Sequence, residues 1–299
     1  MRAHTHNRKY FFKFMSASTA RIVLETSSLR WRAPNQFNDP FDHQVSFTFP
    51  FDGETLSEAI TNEVSRLVFD EPNIRLHDSP LKNIIELLRQ SSDKFEKQHF
   101  IDNTRGTAEE AVKQFEEFQN NYNSLISGML NDSRVLCVSE RNDNVVMWSH
   151  YADEHRGVCL RLNCVKEIDN VLIAARKVNY QKEFPFFPTL DDYIKNLTGE
   201  KSIDFSELLY EIPYVKHLGW EYENEWRVHV PHESTHSDVG YDDWKENEKV
   251  FGALYLGCRI DAAEAVKLVG MAELRYPDIE IYQAIRSNKG FNLEFNRIK

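Results

Sequence analysis

Cysteine is scarce, and its spacing builds nothing. Cys137, Cys159, Cys164 and Cys258 lie in apolar contexts such as RVLCVSE and GVCLRLN, so a disulfide framework and a close-spaced zinc site are both excluded and a reduced, cytoplasmic protein is expected. Glycine is sparse too, at 11 of 299 residues. No G-x-G-x-x-G follows a strand pattern, and GALYLG lacks the Gly-Lys-Ser/Thr ending of a phosphate loop. No serine occupies a nucleophile elbow and no cysteine a Cys/His frame, which disfavours those enzyme classes. No apolar run approaches the ~20 residues of a membrane helix, and the N-terminus is polar where a signal peptide is apolar; no membrane partner is expected. Positive charge is the minority sign, 36 Lys and Arg against 47 Asp and Glu for a net −11, which argues against general binding to a phosphate backbone. The first 32 residues reverse that balance with seven Lys or Arg against one Glu. They offer either a local surface for a phosphate-bearing ligand or a charged tail.

What is present is an ordinary globular content, 41% apolar and 12% aromatic, enough for one large core or two modest ones. RKYFFKF reads as a strand, SASTARIVLET as a capped helix and LRWRAP as a second strand. FNDPFD then reads as a turn that Phe37 and Phe41 anchor in the core. Between Glu54 and Leu130 apolar residues recur at helical intervals, and prolines break the region into about three helices. Strand patterns return in RVLCVSE, GVCLRLN, VLIAARKVNY, EWRVHVP and VFGALYLG, and the helix DAAEAVKLVGMAEL leads to a final strand pair. The fold expected is α+β: one 1–299 domain with a mixed, largely antiparallel sheet system and a helical insertion at about 54–131.

GWEYENEWRVHVP, Gly219 to Pro231, concentrates Glu221, Glu223 and Glu225 beside Arg227 and His229. As a strand it points these five one way and Trp220, Tyr222, Trp226, Val228 and Val230 the other. Burying Glu223 and Glu225 together raises the pKa of one of them, as suits general acid/base work or the gripping of sugar hydroxyls; the alternative is an amphipathic strand with a wet acidic face. If the first half is helical, Glu223 and Arg227 form an i, i+4 pair. In DNVVMWSHYADEHRG, Trp148, Ser149, His150 and Tyr151 bring ring systems and polar edges together, fit either for a planar ligand or for a core helix. Asn38 and Asp39 of the FNDPFD turn and Lys13 of the first strand complete the ligand-binding candidates. His229, His232 and His236 read as an exposed loop rather than a metal site, and His4 and His6 as a loose tail.

Taken together, FNDPFD, DNVVMWSHYADEHRGVCLRL, WEYENEWR and LYLGCRI occur in the order that resembles the bacterial family known as domain of unknown function 2971, from about Tyr10 to the C-terminus. The chain departs from it at FFKF, where members often carry Tyr-Lys-Tyr, and the acidic 233–248 loop is particular to this chain. The N-terminal strand, helix and strand, with a late glutamate opening a hydrophobic strand, also resemble the ADP-ribosyltransferases and their split sheets. That resemblance implies NAD as substrate, with no tightly bound cofactor. It implies Glu225 facing the electron-deficient sugar, Glu223 orienting or deprotonating the acceptor, and Lys13 or Arg227 at the pyrophosphate. Trp148 and Tyr151 would pack on nicotinamide or adenine. The acceptor would be a nucleic acid or a protein, and the setting a toxin or phage-defence one. Two further readings stand beside it. One is a metal-dependent nuclease or phosphodiesterase using Asp39, Glu223 and Glu225 with His150 or Lys13; the other is a non-catalytic module that senses a nucleotide-like molecule.

Overall fold

Aromatic and β-branched residues spaced two apart give the strands of the sheet. They are β1 (Tyr10–Met15), β2 (Ser28–Arg32), β3 (Arg134–Ser139), β4 (Val158–Asn163), β5 (Arg176–Lys177), β6 (Asn179–Gln181), β7 (Val215–His217), β8 (Glu225–Val230), β9 (Tyr241–Lys245), β10 (Phe251–Leu256), β11 (Glu280–Arg286) and β12 (Leu293–Arg297). The helices are α1 (Ala17–Thr26), α2 (Gly53–Ser65), α3 (Lys82–Arg89), α4 (Lys97–Thr104), α5 (Ala108–Asn131), α6 (Val145–Tyr151), α7 (Leu190–Thr198) and α8 (Ala262–Arg275). This computed structural model describes residues 6–43, 51–104, 108–183, 189–203, 210–231 and 239–299. His4, His232, His236 and the start of the acidic 233–248 loop lie outside them.

Residues 1–44, 129–183 and 213–299 form a sheet unit, and residues 45–128 and 184–212 a helical unit. The helical unit therefore draws on a second stretch of chain besides the 54–131 region. Inside it, Asp52 caps α2 by accepting from the Thr55 amide at 2.8 Å, and α2 runs on into a π-helical turn, Arg66–Asp70. Two apolar clusters hold it, one of Val64, Leu67, Val68, Leu76 and Ile85 and one joining Leu56 to Tyr193 and Ile194 of α7.

The sheet unit carries the α+β fold that the patterning predicts. Its main sheet runs β12-β11-β10-β4-β1-β3-β2-β9, with β8 between β3 and β5; the pairings are antiparallel except β10 with β11, and a separate parallel pair joins β6 to β7. β3 is the junction. One edge carries β8 along its full length; the other meets β1 at Ser139 and β2 at Val135. Between those two contacts the Cys137 carbonyl accepts from Lys13 Nζ at 2.7 Å, so a side chain fills a ladder position that the diverging strands leave open. VLIAARKVNY, read as one strand, is instead a 3-10 turn at Val171–Ala174 followed by the short β5 and β6, because β5 and β6 pair with different strands, β8 and β7.

Alternation puts Phe11 and Met15 of β1 on one face, where α1 and α8 cover them with Val23, Leu24, Leu268 and Ala272. Phe12 and Phe14 face the other way into a cluster with Tyr255 and with Met147 and Trp148 of α6. Part of the basic N-terminal segment is already paired: Arg8 with Glu140, Arg21 with Glu264 and Arg30 with Asp243. His6 is not loose either, since its Nε2 lies 2.8 Å from the Leu172 carbonyl and its ring meets Phe11 and Trp226 edge-on.

The loop after α6 turns through three successive left-handed residues, Asp153, Glu154 and His155, a conformation that costs each about 1 kcal/mol. Gly257 closes against that loop. Its amide donates to the Gly157 carbonyl at 2.9 Å, and a Cβ at Gly257 would sit 2.1 Å from the His155 carbonyl oxygen. Gly257→Ala is expected to lower stability by about 1–3 kcal/mol or more. Gly128→Ala, where a Cβ meets nothing within 4 Å, should be neutral or stabilising by up to about 1 kcal/mol; thermal melts of the two variants check both.

Candidate active site

Trp226, Val228 and Val230 of β8 pack with the main core, so Glu225, Arg227 and His229 point to the opposite face. That face is not wet. Arg227 is 0% exposed and Glu225 only 5%, because the FNDPFD turn and β7 cover it. The first half of the acidic stretch is a 3-10 helix, Leu218–Glu223, turned into β8 by Asn224 in the left-handed region. Glu221 is consequently exposed, and the single ridge of three glutamates does not form. Glu223 still reaches the covered face, but its cationic partner is Lys216 and not the Arg227 that helical spacing would supply.

The covered face is an ion-pair network. Arg227 donates through Nε to Glu225 Oε1 at 2.8 Å and through Nη2 to Glu225 Oε2 at 3.0 Å. It grips Asp42 at 2.8 and 2.6 Å, and Nη1 also donates to the Pro213 carbonyl at 2.9 Å. Lys216 Nζ lies 2.6 Å from Glu223 Oε2, 3.0 Å from Glu225 Oε2 and 3.6 Å from Asp42 Oδ2. β6 and β7 place Tyr180 beside Lys216 in register, and the Tyr180 hydroxyl accepts from the Glu225 amide at 2.8 Å. Tyr151 donates to Glu223 Oε1 at 2.5 Å, a short charge-assisted bond. Asp42 also bonds His43 Nδ1 at 2.8 Å.

Two carboxylates only two residues apart end with opposite acidities. Burial pushes Glu225 up, but the Arg227 and Lys216 charges overcome it and hold the group at about 2. Asp42 is likewise driven well below the usual range, the Arg227 charge and the His43 bond outweighing burial. Glu223 goes the other way: burial raises it, the neighbouring Glu225 charge adds to that, and Lys216 and Tyr151 do not bring it back. Three carboxylates face Lys216 and Arg227, and the surplus negative charge falls on Glu223. Lys216 is itself raised, the three carboxylates outweighing burial. Such a divided pair separates a fixed anion from a proton-handling group.

Around Glu223 stand side chains that reach solvent. Asn38 stands near enough to the Tyr151 hydroxyl to act on its acidity, exposed His150 lies 3.1 Å from the Tyr222 hydroxyl, and Trp220 packs on Tyr222 and beneath Lys216 at 5.0 Å. Of the predicted site residues, Asn38, Tyr151, Glu223, Glu225 and Arg227 therefore meet, with His150 at the rim. Lys13 is spent on the Cys137 carbonyl, and burial lowers its pKa, although the Glu225 charge reaches it.

The remaining candidates do other work. Trp148 is fully buried, with Nε1 donating to the Asn142 carbonyl at 2.6 Å and its ring edge-on to Phe14, so it is core and offers no stacking face. Ser149 donates to the Val145 carbonyl, one helical turn back, and shares a bond with His155. Asp39 is buried and caps its own turn by accepting from the Phe41 amide at 2.9 Å. Phe41 does not anchor that turn, being 67% exposed; Phe37 does, edge-on to His43 and 5.7 Å from Arg227. Asp39, Glu223 and Glu225 thus make no donor set for a divalent ion. Among the described residues no three His, Cys, Asp or Glu are grouped to hold a metal.

Sequence reasoning missed Lys216, Asp42, His43 and Tyr180. Asp42 closes the quoted turn, but turn propensity draws attention to Asn38 and Asp39. The available signal was the arginine itself, since a strand-buried guanidinium requires carboxylates beyond its own strand.

With this geometry in view, the similarity to known proteins has a definite place. Residues 147–228 match the family described as Protein of unknown function (DUF2971). That segment is similar to the DUF2971 family. It opens inside α6 and closes in β8, and so includes Tyr151, Lys216, Glu223, Glu225 and Arg227, while Asp42 and Asn38 precede it. No curated protein and no solved structure matches the chain.

Arg227→Met strands Asp42 and Glu225 as buried charges, with an expected loss of about 3–5 kcal/mol in denaturant melts. Acid acts sooner, through histidine. Burial lowers the pKa of both His43 and His229 in the fold, His229 to about 4 with the Arg227 charge adding to burial, against 6.5 for the free side chain. The unfolded chain thus binds more protons as pH falls through 6.5. Stability should decline from there to about pH 4, by on the order of 2–3 kcal/mol for His229 alone. Urea melts across that window, flatter in His229→Gln, check it.

Proposed function

We propose that the chain is an enzyme of glycosyl transfer acting on a nicotinamide dinucleotide of the NAD type, with Glu223 as its proton-handling group. The observation that carries this reading is the divided pair: Glu225 is fully committed to Arg227 and Lys216, while Glu223 has a raised pKa and a hydroxyl partner in Tyr151. The ADP-ribosyltransferase resemblance implies the reverse emphasis, with Glu225 facing the sugar. Both Glu225 oxygens already accept from cations, whereas Glu223 gives one oxygen to Lys216 and the other to the neutral Tyr151 hydroxyl, so the sugar-facing role passes to Glu223.

In the proposed step the bond from ribose C1′ to the nicotinamide nitrogen breaks, and its electron pair leaves with neutral nicotinamide. The oxygen of water, a nucleic acid or a protein forms the new bond to C1′ and gives its proton to Glu223. A carboxylate fixed close to the electron-deficient sugar favours that transition state, and Tyr151 and Lys216 keep it in place. Asn38, Tyr222, His150 and Trp220 supply ring faces and polar edges suited to a nucleotide.

A non-catalytic nucleotide-binding role is the second reading. The saturation of Glu225 and Asp42 by Lys216 and Arg227 favours it, because such a network also serves as a purely structural floor.

Incubation with NAD, alone and with single-stranded and double-stranded nucleic acids or protein acceptors, should release nicotinamide. Glu223→Gln should slow it about 10²–10⁴-fold with the fold retained. Because Glu223 acts as a base with a raised pKa, activity should rise with pH through a midpoint above the ordinary carboxylate range. NAD binding that weakens in Glu223→Gln without turnover would favour the second reading, and neither release nor binding would end the first.

A further inference from the structure

Glu223 and Glu225 are separated by a single left-handed residue, Asn224, a conformation that the surroundings have to hold. Each carbonyl of this corner has its own donor. Tyr222 accepts from Asn144 Nδ2 at 2.6 Å and Glu223 from Ser139 Oγ at 2.7 Å. Asn224 accepts from the Glu140 amide and Glu225 from the Val178 amide, both at 3.0 Å. Ser139, Glu140 and Asn144 belong to the stretch that leaves β3, so that stretch is the main clamp on the corner.

Glu140 grips it twice. Besides its amide bond to Asn224, its Oε2 accepts from Trp226 Nε1 at 3.0 Å, which brackets Glu225 on either side in sequence. What fixes Glu140 is the N-terminal segment. Arg8 donates through Nη1 to Glu140 Oε2 at 3.2 Å and through Nη2 to the Glu140 carbonyl at 3.1 Å. One planar fork thereby ties the side chain to its own peptide and sets that peptide's orientation. Arg8 is held in turn. Its amide donates to His6 Nδ1 at 3.0 Å, leaving the His6 proton on Nε2 for the Leu172 carbonyl, and the neighbouring Lys9 carbonyl accepts from the Cys164 amide at 2.8 Å. The guanidinium also lies 5.4 Å from the Phe11 ring and 5.7 Å from that of Trp226. Lys177, 3.5 Å from Glu140 and 54% exposed, is the weaker partner.

We propose that Arg8 is a positioning residue of the candidate site: acting through Glu140, the N-terminal segment holds the corner that gives Glu223 and Glu225 their separate surroundings. Arg8 and Glu140 both precede the matched 147–228 segment. This role belongs to the shape of the site and holds whether or not the chain turns over NAD.

The titration of Glu223, read by carbon-13 NMR of the full chain with carboxyl-labelled glutamate, is the test, its resonance assigned by its loss in Glu223→Gln. Lys216, Tyr151, Tyr222 and Glu225 act on Glu223, and all four are kept in the other variants. Arg8→Ala loosens the corner, admits water to Glu223 and should lower its proton affinity about tenfold, toward that of a free glutamate. Glu140→Gln, which keeps an acceptor for Trp226, should do the same. The double variant R8A/E140Q should go no further than either single change, since both cut one link. Arg21→Ala breaks a different N-terminal ion pair, with Glu264, and should leave the Glu223 midpoint where it was. Circular dichroism melts establish that each variant is folded. A Glu223 midpoint unmoved in Arg8→Ala or Glu140→Gln, an equal shift in Arg21→Ala, or additive effects in the double variant would overturn the proposal.

Discussion

A guanidinium removed from water has to be met by carboxylates, and in this protein Arg227 sets that requirement for everything around it. Its position at the middle of β8, between β3 and β5, makes it inaccessible, and its two carboxylate partners come from segments 185 and two residues away. The resulting network brings Asp42 to the sheet, fixes Glu225 as a permanent anion and draws in Lys216 as the second cation. Replacing such a network by apolar residues is often neutral or better for stability. Its value lies in what the fixed charges do to a neighbour. Glu223 is left as the carboxylate whose proton affinity is raised, and that asymmetry gives the site its chemical character.

The same network connects local sequence to distant geometry in a second way. The FNDPFD turn places Asp42 and His43 under Arg227, with Phe37 beneath the guanidinium. β6 and β7 form a separate two-stranded pair whose register sets Lys216 beside Tyr180. Neither piece is large, and neither would hold its shape alone. Each is fixed by the charge it delivers to the same spot, so the site is part of what organises the periphery of the sheet.

Much of the architecture was legible because it depends on nearby residues. Alternation in YFFKFM, EWRVHV and FGALYL gives strands, and the three- and four-residue spacing of the 54–131 region gives helices. The α+β class follows from their order. The acidic stretch was singled out on composition, and Glu223, Glu225 and Arg227 do meet. What failed did so for a common reason: a residue's role is decided by the far partner that reaches it. Trp148 reads as a stacking platform until Phe14 and the Asn142 carbonyl claim it. Asp39 reads as a ligand until the Phe41 amide takes its carboxylate. Lys216, between Val215 and His217, shows its purpose only when two glutamates are brought over it. The tilt of acidity between Glu223 and Glu225 was foreseeable as a possibility for buried neighbours, but which one rises depends on a cation from another strand.

Arg227 also donates to the carbonyl of Pro213 while it holds Asp42. Asp42 lies just before the chain first leaves the sheet unit after residue 44, and Pro213 is where it re-enters after its second excursion. One guanidinium thus clasps a departure and a return. Between them the chain crosses the sheet unit once more, through residues 129–183, so the clasp joins the first exit to the last entry and encloses part of the sheet's own path.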